Sequence, residues 1–130
     1  MIGRTIPWLI TGAILVGAAA NTASADDKLS AFMKAKLGNS GKILEALTRE
    51  DFELLGKNSQ AMSLLCEDET WMVLQTPEYR ERSNEFRRSV NAITEAARHK
   101  NLDAATLAYV DATLKCVACH KYVRQSREGK

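Results

Sequence analysis

The chain has 130 residues, which predicts one domain, and its 18 basic and 16 acidic residues leave a net charge of only +2. This near-neutral balance gives no electrostatic footprint for nucleic acid, so a nucleic-acid-binding protein is not expected. Three cysteines are an odd number and too few for a disulfide framework, so a small fold held together by disulfides is not expected either.

The first 25 residues are predicted to be a secretory signal peptide. Arg4 supplies a positive start, residues 6–20 are almost entirely apolar, and Ala23-Ser24-Ala25 is a small-residue cleavage signal. The apolar run is shorter than the roughly 20 residues that a spanning helix needs, which favours cleavage before Asp26 over a retained membrane anchor. The mature domain, 26–130, is therefore expected in the periplasm, with no stable membrane association after cleavage.

The mature chain opens with two predicted helices and shows no strand pattern. The first covers about 28–47, and its apolar residues recur three or four positions apart: Leu29, Met33, Leu37, Leu44 and Leu47. Thr48-Arg49-Glu50-Asp51 resembles a capping box and predicts that a second helix begins there and runs to about residue 67. The predicted buried face of this second helix consists of Phe52, Leu55, Met62, Leu65 and Cys66.

Two further helices complete the predicted domain. Thr76-Pro77-Glu78 combines a cap residue, a proline at the first helical position and an early acid, which predicts a third helix over about 77–100. The apolar stripe of this third helix consists of Tyr79, Phe86, Val90, Ile93 and Ala97. The fourth helix is predicted over about 103–124, with a buried stripe of Leu107, Val110, Leu114 and Val117. The pattern predicts an all-α, antiparallel four-helix bundle with its sites in the core.

The motif Cys116-Val117-Ala118-Cys119-His120 carries the chemistry of the sequence. Two cysteines separated by two residues and followed by histidine have the spacing for attachment of one c-type haem. The thiols bond to the haem vinyl groups, and the histidine binds the iron. A redox dithiol is the competing interpretation, but it calls for a βαβ pattern that the chain lacks. A structural zinc site calls for four ligands, and no second Cys/His pair is present.

With the motif on the last helix, the chain resembles the class II cytochromes c, the cytochrome c′ family. The resemblance extends over 26–130, and its most specific part is the haem motif with Arg124 four residues later. It implies that the first helix faces the distal side of the haem. It also implies that Arg124 lies near the haem propionates or the histidine, where the alternative is a solvent-exposed cation at a helix end.

Met33 decides between two functions that the resemblance implies. Methionine in the first helix resembles the low-spin members with two axial ligands, here His120 and Met33, and predicts a monohaem one-electron carrier. Leucine or phenylalanine there resembles the five-coordinate members that bind nitric oxide or carbon monoxide, and Phe32 is adjacent to Met33. Met33 is otherwise a core residue, as methionines on apolar stripes usually are. Met62 and Met72 are weaker candidates for the ligand.

The remaining predictions concern partners and Cys66. Cys66 is expected to be a buried free thiol, with an intermolecular disulfide in a homodimer as the alternative. His99 is expected to stabilise a helix end, where it suits the helix dipole, rather than to bind iron. No set of nucleophile, base and orienting group stands out, so an enzyme is not predicted. The expected partners are redox proteins.

Overall fold

The computed structural model describes residues 24–67 and 73–129. This part of the chain forms four helices and no strand: α1 (Ala25–Thr48), α2 (Phe52–Leu65), α3 (Pro77–Arg98) and α4 (Leu102–Glu128). The all-α prediction is confirmed, and the arrangement is consistent with a four-helix bundle. The predicted signal peptide up to residue 23, together with Trp71 and Met72, lies outside the described residues. None of the helices in 24–67 and 73–129 combines the length and the apolarity that crossing a membrane requires.

Each helix begins at a polar cap residue whose side chain accepts a hydrogen bond from a backbone N–H of the first turn: Ser24, Asp51, Thr76 and Asn101. The start predicted at Thr76-Pro77 is confirmed. The capping box predicted at Thr48 is wrong, because α1 continues through Thr48, whose hydroxyl donates to the Glu45 carbonyl (2.8 Å). Asp51 caps α2 instead. Cleavage before Asp26 would remove Ser24, and with it the cap of α1.

The two short joints of the bundle, 49–51 and 99–101, have the same backbone design. In each, the middle residue has a positive φ, 53° for Glu50 and 52° for Lys100. The N–H of the following cap residue bonds back to a carbonyl of the preceding helix, from Asp51 to Ala46 (2.9 Å) and from Asn101 to Ala96 (3.0 Å). Both joints are thus Schellman motifs with a non-glycine residue in the left-handed position. They reverse the chain in three residues.

The buried stripes of α2 and α3 are those that the sequence predicts. Five residues predicted on α3 are buried, namely Tyr79, Phe86, Val90, Ile93 and Ala97, and Leu55, Met62 and Cys66 of α2 are buried with them. Phe52 and Leu65 pack at the edge of this core. Helices that follow one another in the chain pack together extensively, whereas α1 and α4 meet at few points.

The buried stripes predicted for α1 and α4 are wrong in part. On α1 the buried face includes Phe32, Lys36 and Ile43, so it is displaced by about one residue from the predicted face. Leu37 and Leu44, which were predicted to be buried, are exposed. On α4 the whole predicted stripe is exposed: Leu107, Val110, Leu114 and Val117. The buried residues of α4 are Ala105, Ala112 and Cys119. Small side chains on this face let α4 approach α3 closely, which leaves the larger aliphatic residues on the outside.

Candidate functional site

A cavity of about 600 Å³ lies between α1 and α4, two helices that meet at few points. Met62 of α2 and Phe86 and Ile93 of α3 also line it. Its volume falls within the 300–1,000 Å³ that is usual for small-molecule and cofactor sites. Ser40 of α1 and Tyr109 of α4, which also line the cavity, share a hydrogen bond of 3.2 Å between their hydroxyls.

The α4 wall of the cavity carries Cys116, Cys119 and His120 together. They share one side of the helix because residues three and four positions apart lie on the same face. Cys119 is buried, Cys116 is half-buried, and His120 is exposed at the rim. In the described part of the chain, no group of three or more Cys, His, Asp or Glu side chains is placed to hold a metal ion directly.

The opposite wall brings Met33 of α1 into the same cavity as His120. Phe32, the other distal candidate from the sequence, points instead into the buried core and is 6% exposed. Met62, a weaker candidate, also lines the cavity, so the site contains two thioethers. Met33 is half-buried, whereas Met62 is buried at 3% exposure.

Lys36 is a cavity residue that the sequence pattern did not reveal. It lines the cavity, is 7% exposed, and its Nζ lies 3.8 Å from the centroid of the Phe86 ring. Burial lowers the pKa of Lys36 to about 8, although the thiols of Cys66, Cys116 and Cys119 act in the opposite direction. The ammonium is therefore an internal positive charge beside Cys116 and Cys119. Its position between Phe32 and Ile43 on the buried face could have revealed it, but the predicted stripe was one residue out of register.

The three thiols have environments that favour their protonated form. Burial raises the pKa of Cys66, Cys116 and Cys119, and the positive charge of Lys36 partly opposes this effect at each one. All three are free cysteines in this structure, and Cys66 is buried as predicted. The thiols are therefore neutral at pH 7. A neutral thiol can add to a carbon–carbon double bond, with its sulfur bonding to one carbon and its hydrogen to the other.

The segment that follows His120 is fixed to the start of α3. The hydroxyls of Tyr122 and Thr76 lie 2.9 Å apart, and Thr76 also caps α3. The guanidinium of Arg82 lies over the Tyr122 ring, 5.2 Å from its centroid, and pairs with Glu78 at 2.6 Å. These contacts join the end of α4 to the start of α3, two residues beyond His120.

Two residues considered from the sequence lie elsewhere. Arg124 is exposed one turn beyond His120, and it is not among the side chains that line the cavity within 24–67 and 73–129. His99 is exposed at the end of α3, where its Nε2 lies 2.9 Å from the Glu95 carboxylate. The hydrogen bond from His99 lowers the pKa of Glu95, with Arg98 contributing in the same direction. The position of His99 fits the helix-end role.

No protein family, curated protein or solved structure matches the chain.

Proposed function

We propose that the protein is a monohaem c-type cytochrome of the class II type that carries single electrons in the periplasm. One observation supports this proposal most: both cysteines and the histidine of the haem motif open into a single cavity that Met33 lines from the opposite helix. Four of the five site residues expected from the sequence thus surround one space. Only Arg124 stands apart from it.

The residues around the cavity fit a haem. The volume is that of a cofactor site, and the lining combines two thiols, an imidazole, two thioethers and several apolar side chains. Each protonated thiol can add across a vinyl group, so that sulfur bonds to one carbon and the thiol hydrogen to the other. This addition needs no oxidant. Cys116 and Cys119 would hold the group covalently, and His120 and Met33 would bind its iron.

When bound, the haem iron supplies the one-electron chemistry by cycling between its ferric and ferrous states. The protein excludes water on the inner side with Met62, Phe86 and Ile93. Lys36 places a positive charge against the same cavity, and a positive charge favours the reduced state of a neighbouring redox centre. A histidine and a thioether as the two ligands would also raise the reduction potential.

The first experiment asks whether haem is attached. Mass spectrometry of the protein purified from a host that attaches c-type haem should show the added mass of one haem, and the double variant C116A/C119A should lose it. C66A is the matched control, since it removes a buried cysteine outside the motif and should keep the haem. A wild-type chain without attached haem in such a host would overturn the proposal.

The second experiment asks which residue is the distal ligand. The ferric and ferrous absorption spectra of the wild type should be low-spin and unchanged by carbon monoxide. M33L should become high-spin and bind carbon monoxide, whereas M62L, the other thioether of the cavity, should retain the wild-type spectrum. A change in M62L alone would assign the ligand to Met62. A wild type that is high-spin or binds carbon monoxide would instead support the gas-binding alternative.

A further inference from the structure

The outward face of α4 carries an apolar stripe that the bundle does not use. It consists of Leu107, Val110, Leu114 and Val117, which are 72%, 50%, 61% and 54% exposed. We call these four residues the α4 seam. Their spacings of three, four and three are those of the a and d positions of a coiled coil, the pattern by which one helix packs along another.

Opposite charges stand at the two ends of the α4 seam. Asp103 precedes Leu107 by four residues, Lys121 follows Val117 by four residues, and both are exposed. Among the described residues, neither of these two side chains takes part in an ion pair. The whole pattern is symmetric about Ala112. An antiparallel copy of α4 would therefore present the same pattern in reverse order.

We propose that the α4 seam binds the α4 seam of a second copy of this chain, antiparallel and about a two-fold axis near Ala112. Leu107 then packs beside Val117 of the second copy, and Val110 beside Leu114. Asp103 lies opposite Lys121 at both ends of the interface. A parallel pairing would instead bring Asp103 to Asp103 and Lys121 to Lys121, so the charges select the antiparallel arrangement.

The rest of α4 is compatible with this pairing. Asp111, the acid nearest the two-fold axis, is turned towards α3, where its carboxylate accepts a short hydrogen bond from the Ser89 hydroxyl. None of the four seam residues lines the cavity, although Thr113 and His120, which do line it, lie four and three positions from Val117 on the adjoining face of the helix. From Asp103 to Lys121 the interface is about 27 Å long, at 1.5 Å per residue. One helix pair of this length makes a small interface, so the dimer should dissociate on dilution.

Sedimentation velocity of the purified full chain, measured over a concentration series in reducing buffer, tests the proposal. The wild type should convert from monomer to dimer as its concentration rises. L114E should remain monomeric, because it buries a carboxylate at the centre of the seam. L64E is the matched control, since Leu64 is a 61% exposed leucine on α2, and it should dimerise like the wild type. Circular dichroism checks that each variant retains its helix content.

Charge reversal tests the direction of the pairing. D103K and K121D should each weaken the dimer by about ten-fold or less per exposed pair, and the double variant D103K/K121D should restore it. A wild type that is monomeric at every concentration, or an L114E variant that still dimerises, would overturn the proposal. A double variant no better than the single ones would overturn the antiparallel arrangement. None of these results depends on haem, so the proposed function is tested separately.

Discussion

Between α2 and α3 the bundle is closed by large buried side chains, whereas between α1 and α4 it surrounds a cavity. The α2–α3 pair is joined by hydrogen bonds between Ser59 and Thr94 (2.8 Å) and between Ser63 and Asn91 (2.7 Å). The α1–α4 pair has the single bond between Ser40 and Tyr109 among the described residues. We therefore expect the α2–α3 pair to contribute more to stability, whereas the candidate site lies at the α1–α4 pair.

The largest expected effect is the loss of stability when a leucine of the closed α2–α3 core is shortened, compared with an exposed leucine on the α1–α4 side. L55A removes a side chain that is 1% exposed in α2, and it should lower the free energy of unfolding by about 2–5 kcal/mol, because it leaves a cavity in a closed core. L37A on α1, where the leucine is 74% exposed, should change it by less than about 0.5 kcal/mol. Urea unfolding followed by circular dichroism measures both. Equal losses would contradict the comparison.

Lys36 should be a source of instability on the α1–α4 side. Its pKa is about 8 in the fold and 10.5 in the unfolded chain, so the unfolded chain binds more protons between these values and stability rises with pH there. Below pH 8 the cost of burying the charge is fully present. K36M should therefore be more stable than the wild type at pH 7, by on the order of 2 kcal/mol, and this gain should shrink towards pH 10.5.

Urea unfolding of the haem-free chain at pH 7 and pH 10 measures the effect of K36M. The raised pKa of the buried thiols lowers stability above pH 9 in both the wild type and K36M. The quantity to compare is therefore the difference in unfolding free energy between the two proteins at each pH. K34M removes an exposed lysine from the same helix and should change little. A K36M variant that is less stable than the wild type at pH 7 would show that Lys36 holds the fold together.

The hydroxyl pair between α2 and α3 should contribute more to the free energy of unfolding than the hydroxyl pair between α1 and α4. T94V removes the partner of Ser59, which is fully buried, and should cost about 1 kcal/mol. Y109F removes the longer bond to Ser40 beside the cavity and should cost less than about half of that. Thermal unfolding of both variants gives the comparison. A larger loss for Y109F would place the main link between helices at the cavity.

Glycine in the joints should have a small effect, and a favourable one. E50G and K100G relieve the strain of a non-glycine residue with positive φ, which outweighs the entropy cost of glycine, so each should gain about 0.5 kcal/mol. The gain should be similar at both joints because their backbones match. Thermal unfolding measures it. A loss of stability in either variant would indicate that the side chain of Glu50 or Lys100 stabilises its joint.

The sequence predicted the closed half of the bundle better than the open half. Tyr79, Phe86 and Val90 are large and apolar, and one face of α3 is enough to bury all of them, so periodicity identifies them. On α4 two faces compete. Small residues such as Ala105 and Ala112 are buried because the helices approach closely there, and no periodicity in the aliphatic residues reveals this.

The site was predictable where it rests on local spacing. Cys116, Cys119 and His120 share a face of any helix that contains them, so their common placement follows from the motif alone. The approach of Met33 depends on packing between distant segments. The burial of Lys36 was not predicted for a related reason. A lysine is expected to be solvent-exposed unless the buried face of its helix is known to within one residue.

The cavity is lined by the first and the last of the described helices, so it can form only when segments far apart in the sequence come together. Contacts between α2 and α3 link segments that are close in sequence, whereas Met33 and His120 can meet only after almost the whole domain has been ordered. Closing a long loop is slow because its entropy is lost before the contact forms. We therefore expect the contacts between successive helices to form first and the approach of α1 to α4 to come last, with the cysteines of α4 open to modification in the interval.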